Sequence, residues 1–583
     1  MIVLHDDLKR QLASIIADGL KGMGITTSME AEYALLGAPP NLKMGHYAYP
    51  CFGLAKQLRK APPLIARELI GHLPKSNLVA AAKVVGPYLN FFINPQEMGA
   101  LVGDTILSGE FFKKTLTKDT LRTMVEYSQP NTHKELHVGH MRNLALGDAL
   151  IRMHEYCGFD IVSSTFPGDV GTHVAKCLWY MKYHNTEAAP ETEKGAWLGR
   201  MYAKGNLKLD AEKDTPQNET NRQQLSAILT QLEEEKGEFY ELWKETREWS
   251  IALMKQVYDW AGVTFDKWYW ESEVDVPSVN FIKSLYEKGA LTESRGAIGM
   301  DLSEDKLGFC VLLKSDGHGL YATKDVELAR RKFEDYSIEK SIYIVDKRQA
   351  HHFAQVFKVL EKIGFEQAKD CFHLKYDYVD LPDGAMSSRK GNVVPIMALI
   401  RQMEHMVKTE YLAKYEGDWS QEEIELVAKQ IAAGAIKYGM IRIAPSRKIV
   451  FQMKEWLSLN GESGPYIQYT GARINSLLNK AGSLDDSTID WGLLKAPQEI
   501  AVLLHLANFN NVMVAETLGY RTNGICSYLY DLAKAYNSFY GALSVLKAES
   551  EALKNARLAL SKAVVETLKV GLGTLNIQVP KRM

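Results

Sequence analysis

His137 and His140 stand three residues apart with Gly139 between them, a spacing suited to chemistry on a phosphate. The four residues HVGH (137–140) fall between a run that reads as a buried strand and a run that reads as a helix. At such a junction the helix N-terminus presents free backbone N–H groups and a positive dipole end to an anion. Gly139 lets a ring or phosphate approach the backbone where a side chain would collide. Two imidazoles at this spacing share one face of the first turn and both can donate to one phosphate. The reaction that suits them is nucleotidyl transfer. Charge grows on the α-phosphate as pyrophosphate leaves, and fixed donors stabilise it without a covalent step. A four-residue pattern is short, and two structural histidines at a helix end satisfy it equally well. A metal pair is disfavoured because no third ligand stands at a suitable spacing, so no protein-held metal is expected.

The elements around the motif are those of an α/β sheet. TMVEYS (123–128) reads as a buried strand, QPNTHKELHVGH as the turn, and Met141, Leu144, Ala145, Ala149 and Met153 as the start of a long helix. A second strand fits Asp160 to Thr165, ending in PGDVGTH. Residues 185–255 are polar, highly charged and helical in pattern, as a surface insertion would be. Strand signals return at SIYIVDK (341–347) and LKYDYVDL (374–381), each followed by a loop and a helix. From about 395 the pattern is helical almost to the end, and the first ~115 residues read as a small α+β unit.

Composition sets the outer bounds. The 583 residues suggest three or four domains at roughly 150 residues each. A hydrophobic content of 46% with 24% charged residues is ordinary for a soluble chain with sizeable cores. The apolar start, Met1 to Leu4, is too short for a signal segment, and no apolar run of about 18 residues is present, so a cytoplasmic location is expected. Cys51, Cys157, Cys177, Cys310, Cys371 and Cys526 are scattered without a C-x-x-C pair, which argues against a disulfide framework and a zinc ribbon. The net charge of −2 gives no whole-chain sign of nucleic acid, so an RNA partner would need local basic surfaces.

The segment EYSQPNTHKELHVGHMRN (126–143) resembles the HIGH signature of class I aminoacyl-tRNA synthetases. The longer pattern N-x-x-K-x-x-H-x-G-H-x-R, met by Asn131, Lys134, His137, Gly139, His140 and Arg142, resembles the arginyl subgroup. A second motif, AMSSRKGN (385–392), resembles the KMSKS signature incompletely. Met386 and Ser387 match and are expected at ATP, while Ala385 and Ser388 replace the two lysines and Arg389 takes the last place. Arg389, Lys390 and Lys134 are therefore expected to share the charge of the leaving pyrophosphate, since Lys or Arg can supply it.

The arginine that this resemblance implies as substrate keeps its charge at pH 7 and offers a planar fork to a carboxylate. Tyr321 and Asp325, four apart in GLYATKDVELARR, share a helix face and resemble the family's Y-x-x-x-D element of the amino-acid pocket. The resemblance also places Glu271 and Gln349 in that pocket, His352 at ATP, and Asn131 and Glu126 at the substrate's α-amino end. Taken singly, Asp325 also reads as a surface charge and His352 as a satisfied core histidine.

Both chain ends extend the resemblance. GHYAYPCFGLAKQLRK (45–60) and VGPYLNFFINP (85–95) look like the family's additional domain at the tRNA elbow, with Tyr47, Asn90 and Phe92 as candidate RNA-facing residues. For the tyrosine and the phenylalanine, a core role fits as well. The helical region from 436 to the C-terminus resembles the family's anticodon-binding domain, and Arg442, Arg447 and Lys448 are candidates for phosphates or for a solvated helix face.

The fold expected is a Rossmann-like α/β nucleotide-binding catalytic domain with a parallel sheet, a small α+β N-terminal domain and an all-α C-terminal anticodon-binding domain. The expected divisions are 1–115, 116–395 with the insertion at about 185–255, a helical connection at 396–455, and 456–583. The resemblance implies ATP-dependent joining of arginine to tRNA(Arg), with ATP as its Mg²⁺ complex, by a monomer. Small cytidylyltransferases and pantothenate synthetases share H-x-G-H but leave the long helical C-terminal region unexplained. A cysteinyl enzyme lacks its zinc-spaced cysteines here, and a glutamyl one would need a basic pocket. A non-catalytic RNA-binding paralogue is the rival from another class.

Overall fold

The structure, a computed structural model, describes residues 6–118, 120–381, 384–385, 394–482, 484 and 489–583, with main chain alone at 381, 384 and 385. The chain forms two compact units. One is Thr120–Leu457, and the other combines both chain ends, Met1–Asp119 with Ser458–Met583.

In the central unit five strands make a parallel sheet: β1 (Thr123–Glu126), β2 (Ile161–Thr165), β3 (Lys267–Trp268), β4 (Lys340–Asp346) and β5 (Cys371–Tyr376). Their order is β5-β4-β1-β2-β3, with Thr123 level with Ile161 on one side and Lys340 on the other. All four residues of β1 are buried, as befits a central parallel strand covered on both faces. The chain steps outward from β1 to β3, then returns to lay β4 on the opposite side of β1. That reversal opens a crevice at the carboxyl ends of β1 and β4, where sheets of this kind bind ligands.

Four helices position the crevice: α1 (Val138–Tyr156), α2 (Glu238–Ala261), α3 (Tyr321–Tyr336) and α4 (Ala350–Lys362). α1 is buried nearly all round because it is held between the sheet and the helix Gln421–Ile441. α2 closes the helical insertion, following Lys194–Glu212 and Gln217–Glu233 over a core of Val174, Trp179, Ile228 and Phe239. Gly262, at a left-handed φ of 66°, ends α2. Its last carbonyls are met by Lys437, whose Nζ donates to the Ala261 oxygen at 2.6 Å, and by Arg152, which donates to Gly262 at 3.1 Å.

Two features depart from the sequence reading. The single strand expected at 374–381 is split: after β5, Val379–Leu381 leaves the sheet and pairs with Gly384–Ala385 and Ile449–Val450. Thr292–Ser294, Ala297–Leu302 and Gly308–Leu313 also form an antiparallel meander that delivers the chain to α3.

In the unit made of the chain ends, Tyr88–Ile93 lies between Tyr47–Pro50 and Val79–Val85 in an antiparallel sheet. The strand pattern does not alternate, since Leu89, Asn90 and Phe91 are all buried. Asn90 and Tyr47, expected to face RNA, are turned inward instead. Asn90 is 2% exposed and its Nδ2 donates to the Met44 carbonyl at 3.0 Å, while the Tyr47 hydroxyl bonds buried Asp6 at 3.1 Å. Phe92 is half-buried beneath Lys83, whose Nζ lies 4.8 Å from the ring centroid. The helices Gly464–Ala481, Pro497–Ala507, Phe509–Leu518, Thr522–Ala542 and Glu551–Gly573 complete this unit. Trp491, fully buried, packs on the helical segment Gly99–Asp104 and donates its indole N–H to Asp104 at 2.8 Å. Among the described residues no helix is long and apolar enough to cross a membrane.

Candidate active site

The first motif is a helix cap built from its own histidines. His137 precedes α1 in extended conformation, and its Nδ1 accepts the Gly139 N–H at 3.1 Å. The Nδ1 of His140 accepts the His137 N–H at 3.1 Å, and the two rings lie 4.0 Å apart. An imidazole whose Nδ1 accepts must, when neutral, carry its proton on Nε2. Burial, helped by the charge of Lys134, pulls His137 down to about 4 and His140 well below the ordinary histidine range. Both are therefore neutral rings near pH 7, each holding one Nε2–H as a donor.

This geometry revises one expectation. The first backbone N–H groups of α1 are already spent, Val138 on the Val394 carbonyl at 3.1 Å and Gly139 on His137. Among the described residues the imidazole Nε2–H groups can donate to a phosphate, and Lys134 Nζ lies 5.2 Å from the Tyr202 ring centroid. The Ile396 N–H also donates to Leu136 at 2.9 Å, so the chain that follows the second motif is zipped to the first. Met386, Ser387, Arg389 and Lys390 lie outside the described residues.

Three residues that the sequence reading did not single out hold this corner. Asn143 of α1 accepts the Ser128 N–H at 2.6 Å and donates to the Ile344 carbonyl at 2.9 Å, tying β1 to β4 at their carboxyl ends. Gln129 donates to Glu126 at 3.2 Å. Gly168, in the loop after β2, exchanges backbone bonds with Pro130 and Thr132. A Cβ at Gly168 would lie 2.4 Å from Asn131 Oδ1 and 2.9 Å from Glu271 Oε2, so any other residue there would push these two side chains aside. Asn131 and Glu271 thus converge on one spot although 140 residues separate them in the chain.

The carboxylates of the expected arginine pocket all have partners in this structure. Glu271, buried, meets Lys324 Nζ at 2.7 Å, and Lys324 also meets Asp275 at 3.3 Å. Burial raises the Glu271 carboxyl above its ordinary range despite Lys324. Asp325 meets His352 Nε2 at 2.5 Å, joining α3 to α4. Burial alone would lower His352, but the carboxylate outweighs it and the histidine is raised. Glu126 forms a buried ion pair with Lys332, whose ammonium also sits 3.9 Å from the Tyr343 ring centroid. Tyr321, 70% exposed, opens α3 one turn before Asp325, and Gln349 is exposed at the turn after β4. No local pattern announced Lys324, Lys332 or Gly168, because their partners lie far away in the chain.

The basic candidates near 445 are only partly available. Arg442 pairs with Glu455 at 2.6 Å and Lys448 lies 3.4 Å from Asp380, while Arg447 is exposed. Arg142, from the first motif, is buried and donates to the carbonyls of Tyr378, Ala444, Pro445 and Arg447. Its role in this structure is to bolt the start of α1 to that segment. Among the described residues, no cluster of three His, Cys, Asp or Glu side chains is placed to hold a metal ion.

The site can therefore supply neutral donors to a phosphate, carboxylates to a cation and a crevice that brings both together. Comparison with known proteins agrees with that chemistry. Residues 103–452 match the family described as tRNA synthetases class I (R), catalytic domain. Residues 10–93 match the arginyl tRNA synthetase N terminal domain, and 467–583 the DALR anticodon binding domain. An arginine–tRNA ligase of Bdellovibrio bacteriovorus is 54% identical over 584 residues, covering 100% of both chains. One from Clostridium botulinum is 36% identical, covering 99% of this chain and 100% of its own. Among solved structures, the arginyl-tRNA synthetase of Thermus thermophilus superposes with a TM-score of 0.78 at 28% identity, covering 99% of this chain and 100% of its own. With matches to the catalytic, N-terminal and anticodon-binding regions alike, the chain belongs to the arginyl branch of the class I tRNA synthetases.

Proposed function

We infer that this chain activates L-arginine with MgATP and transfers it to the 3′-terminal ribose of tRNA(Arg), releasing pyrophosphate and AMP. The observation that carries the reading is the pair of neutral, Nδ1-capped histidines at the switch point of the parallel sheet. In the first step the arginine carboxylate attacks the α-phosphate and pyrophosphate departs. His137 and His140 donate from Nε2 to the phosphate oxygens as charge builds, and each such donor contributes about 10²–10³ in rate. Lys134, with Arg389 and Lys390 of the second motif, neutralises the pyrophosphate. Met386, Ser387 and His352 contact ATP. Asp325, Tyr321, Gln349 and Glu271 form the guanidinium pocket, and Asn131 and Glu126 hold the α-amino end. In the second step a ribose hydroxyl of the tRNA attacks the adenylate carbonyl and AMP leaves. Most of the rate comes from placing reactants and stabilising phosphate charge.

Phe92, Arg442, Arg447 and Lys448 remain RNA-facing candidates, together with the helical anticodon-binding region. ATP enters as its magnesium complex and so brings its own metal. The test is charging of total tRNA with each of the twenty amino acids in turn, with ATP and Mg²⁺. Charging by arginine alone is the expected result; charging by another amino acid, or none at all with tRNA binding intact, overturns it. In the same assay Lys134→Ala is expected to lose about 10²-fold in rate, and a wild-type rate would remove Lys134 from the site.

A further inference from the structure

The helical insertion was the least distinctive part of the sequence, yet one face of its last helix touches both loops that carry substrate contacts. Along α2, Thr246, Ser250 and Tyr258 are among the side chains that are buried. His133 sits between Asn131 and Lys134, fully buried and in a left-handed conformation with φ 59°. Its backbone N–H donates to Ser250 Oγ at 2.9 Å. Its Nδ1 lies 2.9 Å from Thr132 Oγ1, and its Nε2 lies 2.8 Å from Thr246 Oγ1.

The direction of these bonds follows from the donor inventory. The single hydroxyl proton of Thr246 goes to the Leu242 carbonyl at 2.7 Å. Thr246 must therefore accept from His133 Nε2–H, and Nδ1 accepts the Thr132 hydroxyl. Burial, with Arg247 nearby, lowers His133 to about 3, so this arrangement keeps one protonation state through the neutral range. On the same helix Trp243 donates to the Asp169 carbonyl at 2.7 Å and Arg247 to its carboxylate at 2.7 Å. Asp169 follows Gly168 and caps the helix that starts at Glu271 by accepting the Ser272 N–H at 2.9 Å. Higher up, Tyr258 bonds the Ser128 hydroxyl at 3.0 Å, at the exit from β1.

We propose that α2 is a positioning strut of the active site, with the Thr246–His133–Thr132 chain as the pin that sets where Asn131, Lys134 and His137 stand. His133 touches no substrate, so it is a positioning residue. The inference rests on the ligase reading above for its catalytic readout. The left-handed corner at His133 turns the loop, and two bonds to α2, at Ser250 and Thr246, fix the corner in space. Trp243 and Arg247 do the same for the Gly168 loop, so one rigid helix sets the distance between the two walls of the site. Displacing such a loop by about 1 Å can cost 10²-fold in rate.

The test is Thr246→Val, which keeps the shape and removes both hydrogen-bonding roles, beside Thr246→Ser, which keeps them. Arginine-dependent ATP–pyrophosphate exchange is measured with tRNA saturating, and tRNA binding is measured by filter retention. The expected result is a fall in kcat of about 10²-fold for Thr246→Val, unchanged tRNA affinity, and recovery in Thr246→Ser. A wild-type kcat in Thr246→Val overturns the proposal. Should that variant fail to fold, Trp243→Phe removes the equivalent bond to the second loop and carries the same expectation and the same refutation. Amide hydrogen exchange over residues 129–140 reads the pin without catalysis. Faster exchange in Thr246→Val is expected, and unchanged protection overturns the strut. Loss of protection in a protein whose wild type never exchanges pyrophosphate would leave the strut standing and sink the ligase reading.

Discussion

At the scale of single residues, the carboxylates proposed for the arginine pocket already hold cations, which a cationic substrate would have to displace. The Asp325–His352 pair makes that displacement depend on pH. His352 is raised by Asp325, so its charged form persists above the ordinary value of 6.5. Below its pKa the imidazolium occupies Asp325 and competes with the guanidinium of arginine. Above it the ring is neutral, and only a hydrogen bond, with no opposing positive charge, remains at Asp325. The arginine KM is therefore expected to fall as pH rises through the His352 titration, by about tenfold per unit on the acid side. In His352→Asn this limb should vanish, leaving KM flat from pH 6 to 8. A wild-type KM that is flat over that range would show that Asp325 does not bind the guanidinium. The sequence made Asp325 and His352 visible separately, through their motifs. Their contact was not visible, because it spans α3 and α4 across the end of β4. The HVGH motif was legible for the opposite reason, since every bond of its double cap lies within four residues.

At the scale of elements, three of the five parallel strands and α1 were readable from their apolar pattern because burial imposes it. β1, β2 and β4 fall within two residues of their expected ends. The antiparallel meander at 292–313 was missed, although its last strand carries the apolar run FCVLL (309–313) and packs in one core with Val326 and Val356. What periodicity omits is the fastening between elements, and Arg142 is the case to test. Its guanidinium reaches four main-chain carbonyls on two segments, the closest at Arg447, 2.7 Å away. Lysine keeps the charge but lacks the planar fork that spans both segments. Arg142→Lys is expected to lose about 2–3 kcal/mol, the worth of one or two charged hydrogen bonds in a buried place. Arg142→Met should lose more, because it strips every carbonyl of its donor. Urea denaturation followed by far-UV circular dichroism would show this as a lower midpoint in the order wild type, Lys, Met. Equal midpoints would mean that water replaces the guanidinium at no cost.

At the scale of the whole molecule, the two ends of the chain fold as one unit, an association that no local pattern could disclose. Trp491 carries much of it. Its indole lies against Gly99 and Gly103, so close that a Cβ on Gly99 would stand 2.0 Å from the ring's Cγ. Helix propensity alone would favour alanine at an interior helical glycine by about 1 kcal/mol. Overpacking opposes it at about 1–3 kcal/mol, and the upper end applies here because the clash is with the root of a buried ring. Gly99→Ala is therefore expected to destabilise this unit by about 1–2 kcal/mol net. Trp491→Ala empties the space instead, at about 3–5 kcal/mol. Combined, the two should not add, because the alanine methyl then fills part of the cavity and its helix propensity is recovered. In the Trp491→Ala background, Gly99→Ala should be neutral or stabilising. Urea unfolding of the four proteins, followed by far-UV circular dichroism, measures the cycle. Additive losses would place the strain of Gly99→Ala elsewhere and remove Trp491 as the joint between the N-terminal fold and the helical region that matches the anticodon-binding family.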